Sequence, residues 1–205
     1  MKHVAYIHGL NSTQSSFSYI VKQLPEHHFH LINYQSHQPL AESIIQVLKQ
    51  LPREVPLSLV GHSLGGVIAT LIAADNLEKI ERLVTISSPL NGSRAAATLR
   101  WIPGSLPVLN DIVPRSALLT RLGGLELKVP TISIISTGGH LPTSPEPNDS
   151  VVSVSSQKAL RFGKKIEVKA NHFEVLLSDV TVNHIREFLW NTKKGPNEDY
   201  LKART

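Results

Sequence analysis

The sequence predicts an α/β domain that is doubly wound around a mainly parallel six-stranded sheet and carries a small helical cap. Six short segments have the apolar, β-branched composition of buried strands, and helical patterns lie between them. Residues 57–60 are apolar almost without a break, which indicates a strand covered on both faces, as in a parallel sheet. Alternating strands and helices are typical of a doubly wound domain. The predicted strands cover residues 3–9, 29–35, 56–61, 82–87, 131–136 and 165–169.

Three stretches between these strands have the periodicity of helices. Leucine and isoleucine recur at helical spacing over 40–51, directly after Pro39. Residues 64–74 are apolar on almost all sides, which predicts a helix packed centrally against the sheet. An amphipathic pattern over 182–189 predicts a last helix.

Two segments interrupt the alternation. Residues 91–128 lack a strand pattern and mix apolar side chains with prolines, and about 38 residues is too long for a simple connection. They are therefore predicted to form a helical cap or lid. Residues 137–150 contain a glycine pair and three separate prolines, a composition typical of a loop. We expect a single domain over 1–190, with 91–128 as an insertion and 191–205 as a polar tail.

Composition excludes several classes of protein. With 41% apolar and 18% charged residues, the chain is neither disordered nor fibrous. It has no cysteine, which excludes disulfides, thiolate metal sites and a cysteine nucleophile. The net charge of +5 is scattered, without the basic, aromatic stripe of a nucleic-acid-binding protein. No secretory leader or membrane helix is visible, so we expect a soluble, cytoplasmic protein.

The strongest functional signal is the sequence GHSLGG at residues 61–66. It places Ser63 between a predicted strand and a predicted helix, in a G-x-S-x-G pattern. A serine on such a sharp turn exposes its hydroxyl above the edge of the sheet, and the flanking glycines let the strand and helix approach closely. The pattern alone could mark a flexible turn, but this context favours a nucleophile.

Backbone amides near Ser63 are candidates for binding an oxyanion. The first predicted strand ends in His8-Gly9, where a serine hydrolase supplies one donor beside its nucleophile. We therefore predict that the amides of Leu10 and Leu64 form this site. Each such donor typically contributes roughly 2.7–4 kcal/mol of transition-state stabilisation.

A serine nucleophile needs a general base, and position along the chain selects among the ten histidines. His172 directly follows the last predicted strand, where the base is expected. His184 falls within the last helix, and His62 is too close along the chain to reach the Ser63 hydroxyl well. Three further histidines resemble a metal cluster but match no standard ligand spacing, namely His27, His28 and His30. We expect no metal and no cofactor.

The acid of such a site should lie between the serine and the histidine in the chain. Asp149 meets this order, in the loop after the fifth predicted strand, and Glu146 is the fallback. The Asn-Asp-Ser sequence around Asp149 also suits a turn or a helix cap. Four other aspartates are set aside because of their order or their place, namely Asp75, Asp111, Asp179 and Asp199.

With these residues in hand, the chain resembles the α/β-hydrolase superfamily, in particular the small bacterial lipases and esterases. The resemblance rests on residues 7–11, 61–66, 148–152 and 171–173. The SSPLNGS sequence at 87–93 is also similar, although Leu90 and Asn91 depart from the spelling with histidine after the proline. The resemblance implies a minimal α/β-hydrolase fold and a triad of Ser63, Asp149 and His172.

The activity implied by the resemblance is hydrolysis of an acyl ester through an acyl-enzyme, without a cofactor. Thioesterases, acyltransferases and lipid-anchor deacylases use the same residues and stay open as alternatives, as does a non-catalytic binding protein. The insertion carries a net charge of +3, which would suit anionic lipid and leaves transient contact with a membrane or lipid interface open. Its leucines could equally pack on the core.

Overall fold

The structure, a computed structural model, describes residues 1–75, 78–125, 127–141 and 145–190. Its centre is one six-stranded sheet in the order β2-β1-β3-β4-β5-β6, and every neighbouring pair is parallel. The sequence prediction of six strands in a doubly wound sheet is confirmed, with strand ends shifted by a few residues. The strands are β1 His3–Ile7, β2 His28–Ile32, β3 Leu57–His62, β4 Ile80–Ile86, β5 Thr131–Ser136 and β6 Lys164–Val168.

The strand order creates a crevice at the carboxyl end of the sheet. The chain leaves β1 to form β2 on one side and then returns to form β3 on the other. Connections leave β1 and β3 in opposite directions at such a switch point, so a crevice opens outside the carboxyl ends of the two strands. The segments that contain Leu10 and Ser63 begin there.

Helices cover both faces of the sheet. They are α1 Ser18–Gln23, α2 Leu40–Leu48, α3 Leu64–Asp75, α4 Arg94–Leu99, α5 Val108–Asp111, α6 Ala117–Gly123, α7 Val154–Gln157 and α8 Asp179–Trp190. Alternate residues of β1 divide between two cores: Ala5 joins the core that contains α2 and α3, and Tyr6 joins the core that contains α1 and α8. The predicted helices over 40–51, 64–74 and 182–189 are present, whereas α1 and α7 were not predicted.

The insertion at 91–128 contains three of these helices, α4, α5 and α6. Leu109, Leu119 and Leu122 are buried in the same core as α3, so part of the insertion packs on the body of the domain. Trp101 and Ile102, just after α4, are in contrast 76% and 54% exposed. Glu126 and the polar tail at 191–205 lie outside the described residues.

No helix in the described ranges is long and apolar enough to cross a membrane.

Candidate active site

Ser63 occupies a sharp turn between β3 and α3. Its φ of 53° lies in the left-handed region, which is costly for a residue with a side chain. Hydrogen bonds on both sides hold this conformation, from Ser63 N to the carbonyl of Ile86 (2.8 Å) and from Gly66 N to the carbonyl of Ser63 (3.0 Å). Ser63 is partly exposed, although every residue of β3 before it and of the first half of α3 after it is buried. The fold therefore presents this hydroxyl at the end of the sheet.

Glycine is required on either side of the turn because the backbones approach too closely for a side chain. A Cβ on Gly65 would lie 2.0 Å from the carbonyl oxygen of Ile7, and one on Gly61 would lie 2.4 Å from that of Gly65. Gly9 plays a similar part at the end of β1, where a Cβ would lie 2.9 Å from the Cβ of Ser63. Because glycine has no side chain, the segment after β1 can lie directly against the serine turn.

His172 and Asp149 meet behind this turn. Nδ1 of His172 lies 2.7 Å from Oδ2 of Asp149, and the backbone N–H of His172 donates to the carbonyl of Asp149 at 2.9 Å. His172 is 3% exposed and Asp149 is fully buried. Because an ionised carboxylate only accepts, Nδ1 of His172 donates in this bond, and Nε2 is the ring nitrogen that is not engaged with Asp149.

Asp149 is held by four other donors. Oδ1 accepts from the backbone N–H groups of Val151 (2.9 Å) and Val152 (2.7 Å), and Oδ2 accepts from the hydroxyl of Ser136 (2.6 Å) and the amide of Gln157 (3.2 Å). Burial raises the pKa of a carboxyl group, but the bond to His172 and its charge, with those from Ser136 and Val152, outweigh that cost. The pKa of Asp149 is therefore lowered, and the side chain is a carboxylate at neutral pH.

Ser63 and His172 line one cavity of about 250 Å³. Within the described ranges no hydrogen bond joins the two side chains, although both face the same cavity. Leu10 and Leu64 line the same cavity. Neither backbone amide donates to another group in the described part of the chain, so each has an unused donor.

His62 is buried beside these groups and contacts His172 instead of the serine hydroxyl. Its Nε2 lies 2.9 Å from the backbone carbonyl of His172. Burial, followed by the nearby His172, lowers the pKa of His62 to about 3, so this imidazole is neutral at physiological pH.

Sequence comparison identifies the family to which the chain belongs. The model of the thioesterase domain matches residues 6–113, more than half of the chain. The chain belongs to the thioesterase domain family. The match includes Leu10 and Ser63 but ends before Asp149 and His172, so it carries no information about those two residues. Among curated proteins the sequence of this thioesterase-family chain finds no match.

Solved structures agree with the fold of this thioesterase-family chain. The lipase BlEst2 of Bacillus licheniformis in its mature form is 16% identical, with a TM-score of 0.73 over 90% of each chain. An extracellular α/β-hydrolase from a Paenibacillus species is 16% identical, with a TM-score of 0.62 over 91% of this chain and 97% of that one. The lin2722 product of Listeria innocua is 15% identical, with a TM-score of 0.63 over 95% and 96%. At these identities the likeness establishes the α/β-hydrolase fold.

The walls of the cavity in this thioesterase-family chain are largely apolar. They come from segments that follow β1, β3, β5 and β6 and from the insertion, and include Leu99 of α4, Leu109 of α5 and Phe173. A second cleft of about 260 Å³ shares Ser93, Ala95 and Val151 with the first. Its remaining lining is more polar and includes Arg94, Thr98, Glu146, Asn148 and Ser153.

The other candidates from the sequence lie away from the base. Glu146 accepts from the hydroxyl of Ser155 (3.1 Å) and lines the second cleft, without a contact to His172 among the described residues. His184 lies on α8, 3.9 Å from Glu187. The remaining aspartates are also engaged or remote: Asp75 pairs with Arg121, Asp111 accepts from Leu40 N, Asp179 accepts from Tyr19, and Asp199 falls outside the described residues.

His27, His28 and His30 lie close together in the sequence but do not all contact the same side chains. The buried ring of His27 bonds to the hydroxyl of Tyr6 (2.8 Å), whereas His28 and His30 stack on His3. Groups of three or more potential metal ligands are absent from the described ranges.

Sequence reasoning missed the polar residues that support Asp149. Gln157 bonds to both the N–H and the carbonyl of Ser136 as well as to Asp149, and the hydroxyl of Ser136 contacts that of Ser87 at 2.6 Å. The only hint in the sequence was an otherwise unexplained serine at the end of an apolar strand. Gln157 gave no signal, because its role depends on how α7 folds back against β5.

Proposed function

We propose that this protein is a serine carboxylic-ester hydrolase that acts through Ser63, His172 and Asp149. The observation that carries the proposal is the combination of a serine on a strained strand-to-helix turn with a histidine in the same cavity. That histidine is hydrogen-bonded through Nδ1 to a buried carboxylate. A binding protein on this fold has no need of that arrangement, and the geometry matches the roles required for nucleophilic catalysis.

In the proposed mechanism, Nε2 of His172 takes the proton from the Ser63 hydroxyl as its oxygen attacks the ester carbonyl carbon. The tetrahedral intermediate places its negative charge at the amides of Leu10 and Leu64. Asp149 holds the imidazole in the required tautomer and stabilises its cationic form. His172 then returns the proton to the leaving alcohol as the carbon–oxygen bond breaks, and a water activated by the same nitrogen hydrolyses the acyl-enzyme.

The shape of the site suggests which part of the ester lies where. The apolar cavity next to Ser63 suits the acyl chain, and about 250 Å³ holds on the order of eight water-sized groups, at ~30 Å³ each. A short to medium acyl chain fits this volume. The adjoining polar cleft suits the alcohol side of the ester.

Contact with a lipid interface is part of the same proposal. Leu99, which lines the cavity, is 46% exposed, and Trp101 and Ile102 extend the apolar surface beyond it. Arg100 lies over the Trp101 ring at 4.6 Å, so a cation accompanies the exposed aromatic side chain. Tryptophan with arginine is a combination suited to the boundary between water and lipid.

A second candidate function is hydrolysis of a thioester, which the family match at residues 6–113 favours. The same serine, base and oxyanion donors serve both reactions, because the two substrates differ in the leaving group. An oxoester and a thioester with identical acyl chains separate these activities through their values of kcat/KM.

The test is hydrolysis of p-nitrophenyl esters from acetate to palmitate, with wild type and Ser63→Ala assayed side by side. The proposal expects a maximum at short to medium chains and loss of turnover in Ser63→Ala. Turnover that survives the substitution refutes the proposal. If activity rises above the concentration at which the ester forms aggregates, contact with a lipid interface is supported. If aggregation leaves the rate unchanged, the proposed contact with an interface is refuted.

A further inference from the structure

His62 lies where three segments of the site meet. It is the last residue of β3, immediately before Ser63, and is 2% exposed. Its Nε2 lies 2.9 Å from the carbonyl oxygen of His172, which follows β6. On its other side, a Cβ on Gly9 would lie 3.3 Å from Nδ1. The His62 side chain therefore bonds to the segment that follows β6 and lies close to the segment that follows β1, and it directly precedes the turn at Ser63.

The carbonyl partner determines the tautomer of His62. A carbonyl oxygen only accepts, so Nε2 carries the proton and Nδ1 carries the lone pair. Nδ1 is buried and has no partner in the described part of the chain. Because burial lowers the pKa of His62 to about 3, the ring stays neutral while a positive charge forms on His172. The ring centroids are only 4.8 Å apart, and a second cation at that distance would oppose the charge.

The contact also completes the set of bonds that hold His172. Its backbone N–H donates to the carbonyl of Asp149 (2.9 Å), its Nδ1 donates to Oδ2 of Asp149 (2.7 Å), and its carbonyl accepts from His62. Both bonds to Asp149 tie His172 to the acid. Among the residues that the structure describes, only the bond from His62 ties it directly to the turn that carries Ser63.

We propose that His62 is a positioning residue for the ester hydrolysis proposed above, on which this inference rests. Its Nε2–H fixes the backbone of His172 relative to Ser63, so that Nε2 of the base stays within reach of the serine hydroxyl.

Loss of this bond should lower kcat more than it changes KM. A displacement of about 1 Å between reacting groups can cost on the order of 100-fold in rate. His62 itself lines the cavity, but the apolar walls proposed for the acyl chain include Leu99 and Leu109, which belong to the insertion and not to the segments that His62 joins. Ground-state binding should therefore be kept while proton transfer slows.

The experiment compares His62→Gln with His62→Asn. Glutamine places an amide nitrogen near the position of Nε2 and can donate to the His172 carbonyl. Asparagine has the same chemistry but its nitrogen falls near the position of Nδ1, short of the carbonyl. We expect His62→Asn to lower kcat about 10- to 100-fold with KM changed less than about threefold, and His62→Gln to recover most of that loss. Each kcat is expressed per active site titrated with a phosphonylating ester, so that misfolded protein does not count.

His27→Asn is the matched control, because His27 is a buried histidine at the opposite end of the sheet, bonded to Tyr6. It should lose stability with little change in kcat. Equal kcat values for His62→Asn and wild type would overturn the inference, and so would a His62→Gln variant that is as slow as His62→Asn. If neither His62 variant folds, His62→Phe replaces His62→Asn, as a ring of similar size without the donor. Ser63→Ala is assayed in parallel. Turnover that survives in Ser63→Ala refutes the proposed function. Turnover that is lost in Ser63→Ala but kept in the His62 variants refutes only the role of His62.

Discussion

Replacing Asp149 with asparagine tests the proposed general base through its tautomer. The two oxygen atoms of Asp149 are not equivalent. Oδ1 accepts from the N–H groups of Val151 and Val152, which cannot reorient, so the oxygen of an asparagine must stay at this position. Its NH₂ group then takes the place of Oδ2 and faces Nδ1 of His172 at about the original distance of 2.7 Å. Two donors cannot share that contact, so Nδ1 loses its proton and Nε2 gains it.

The magnitude follows from that exchange. With a proton on Nε2, the imidazole cannot accept the proton of Ser63, and the carboxylate that stabilises the imidazolium is gone. Loss of the correct tautomer in a serine–histidine–aspartate site lowers kcat by about 10⁴-fold. At 1.36 kcal/mol per tenfold change, this is about 5 kcal/mol of activation free energy.

The assay is kcat on a p-nitrophenyl ester of the preferred chain length, with Glu146→Gln as the matched control. Glu146 lies in the same loop and lines the cleft proposed for the alcohol side of the ester, so its substitution can change KM, but it contacts Ser155 and not His172, so kcat should change less than about threefold. A loss in Glu146→Gln that exceeds the loss in Asp149→Asn would refute the assignment of the acid. Activity within tenfold of wild type in Asp149→Asn would refute the tautomer argument.

Three further predictions concern stability. Gln157→Leu removes the partners of the Ser136 N–H and carbonyl, so the melting temperature should fall by about 5–10 °C; an unchanged value would contradict the buried network. Gly65→Ala should prevent folding or abolish turnover, because its Cβ would lie 2.0 Å from a carbonyl oxygen. The control Gly123→Ala should be nearly neutral, because its Cβ meets nothing within 4 Å. A folded, active Gly65→Ala protein would contradict this prediction and show that the turn can relax. The pKa of His62 is about 3 in the folded state, so between pH 6 and pH 4 the unfolded chain binds a proton at His62 that the folded chain does not. As the pH falls through this range, the wild-type free energy of unfolding, measured in urea titrations, should therefore fall by about 1.4 kcal/mol per pH unit more steeply than that of His62→Asn. Parallel curves for the two proteins would mean that His62 titrates normally.

Local sequence signals were sufficient for the sheet and for the order of the site residues. The four central strands, β1, β3, β4 and β5, are short and largely apolar, and parallel strands buried on both faces leave that signature in the sequence. Ser63 could be located because its turn needs glycines at fixed offsets, which the contacts of Gly61 and Gly65 explain. His172 and Asp149 could be placed by chain order, since each follows a strand whose carboxyl end lies on the crevice side of the sheet.

Other features depend on tertiary contacts that leave no local pattern. The bond from His62 to the His172 carbonyl joins residues 110 positions apart. The position of His62 next to Ser63 in the sequence indicated only that it could not reach the serine hydroxyl well. Gln157 likewise supports Asp149 through a short helix whose packing is set by β5. The insertion was ambiguous because leucines that pack on the core and apolar residues that face solvent share one composition. The structure divides them, with Leu119 buried and Trp101 exposed.

The central claim is that Ser63 becomes covalently acylated during turnover. The most direct measurement is treatment of the wild-type protein with a phosphonylating p-nitrophenyl ester, followed by intact mass and peptide mapping. The account predicts one adduct per chain, on Ser63, at a rate that falls in parallel with kcat in Asp149→Asn and no adduct in Ser63→Ala. A stable adduct on another residue, or full ester turnover by a protein whose Ser63 is never modified, would contradict it.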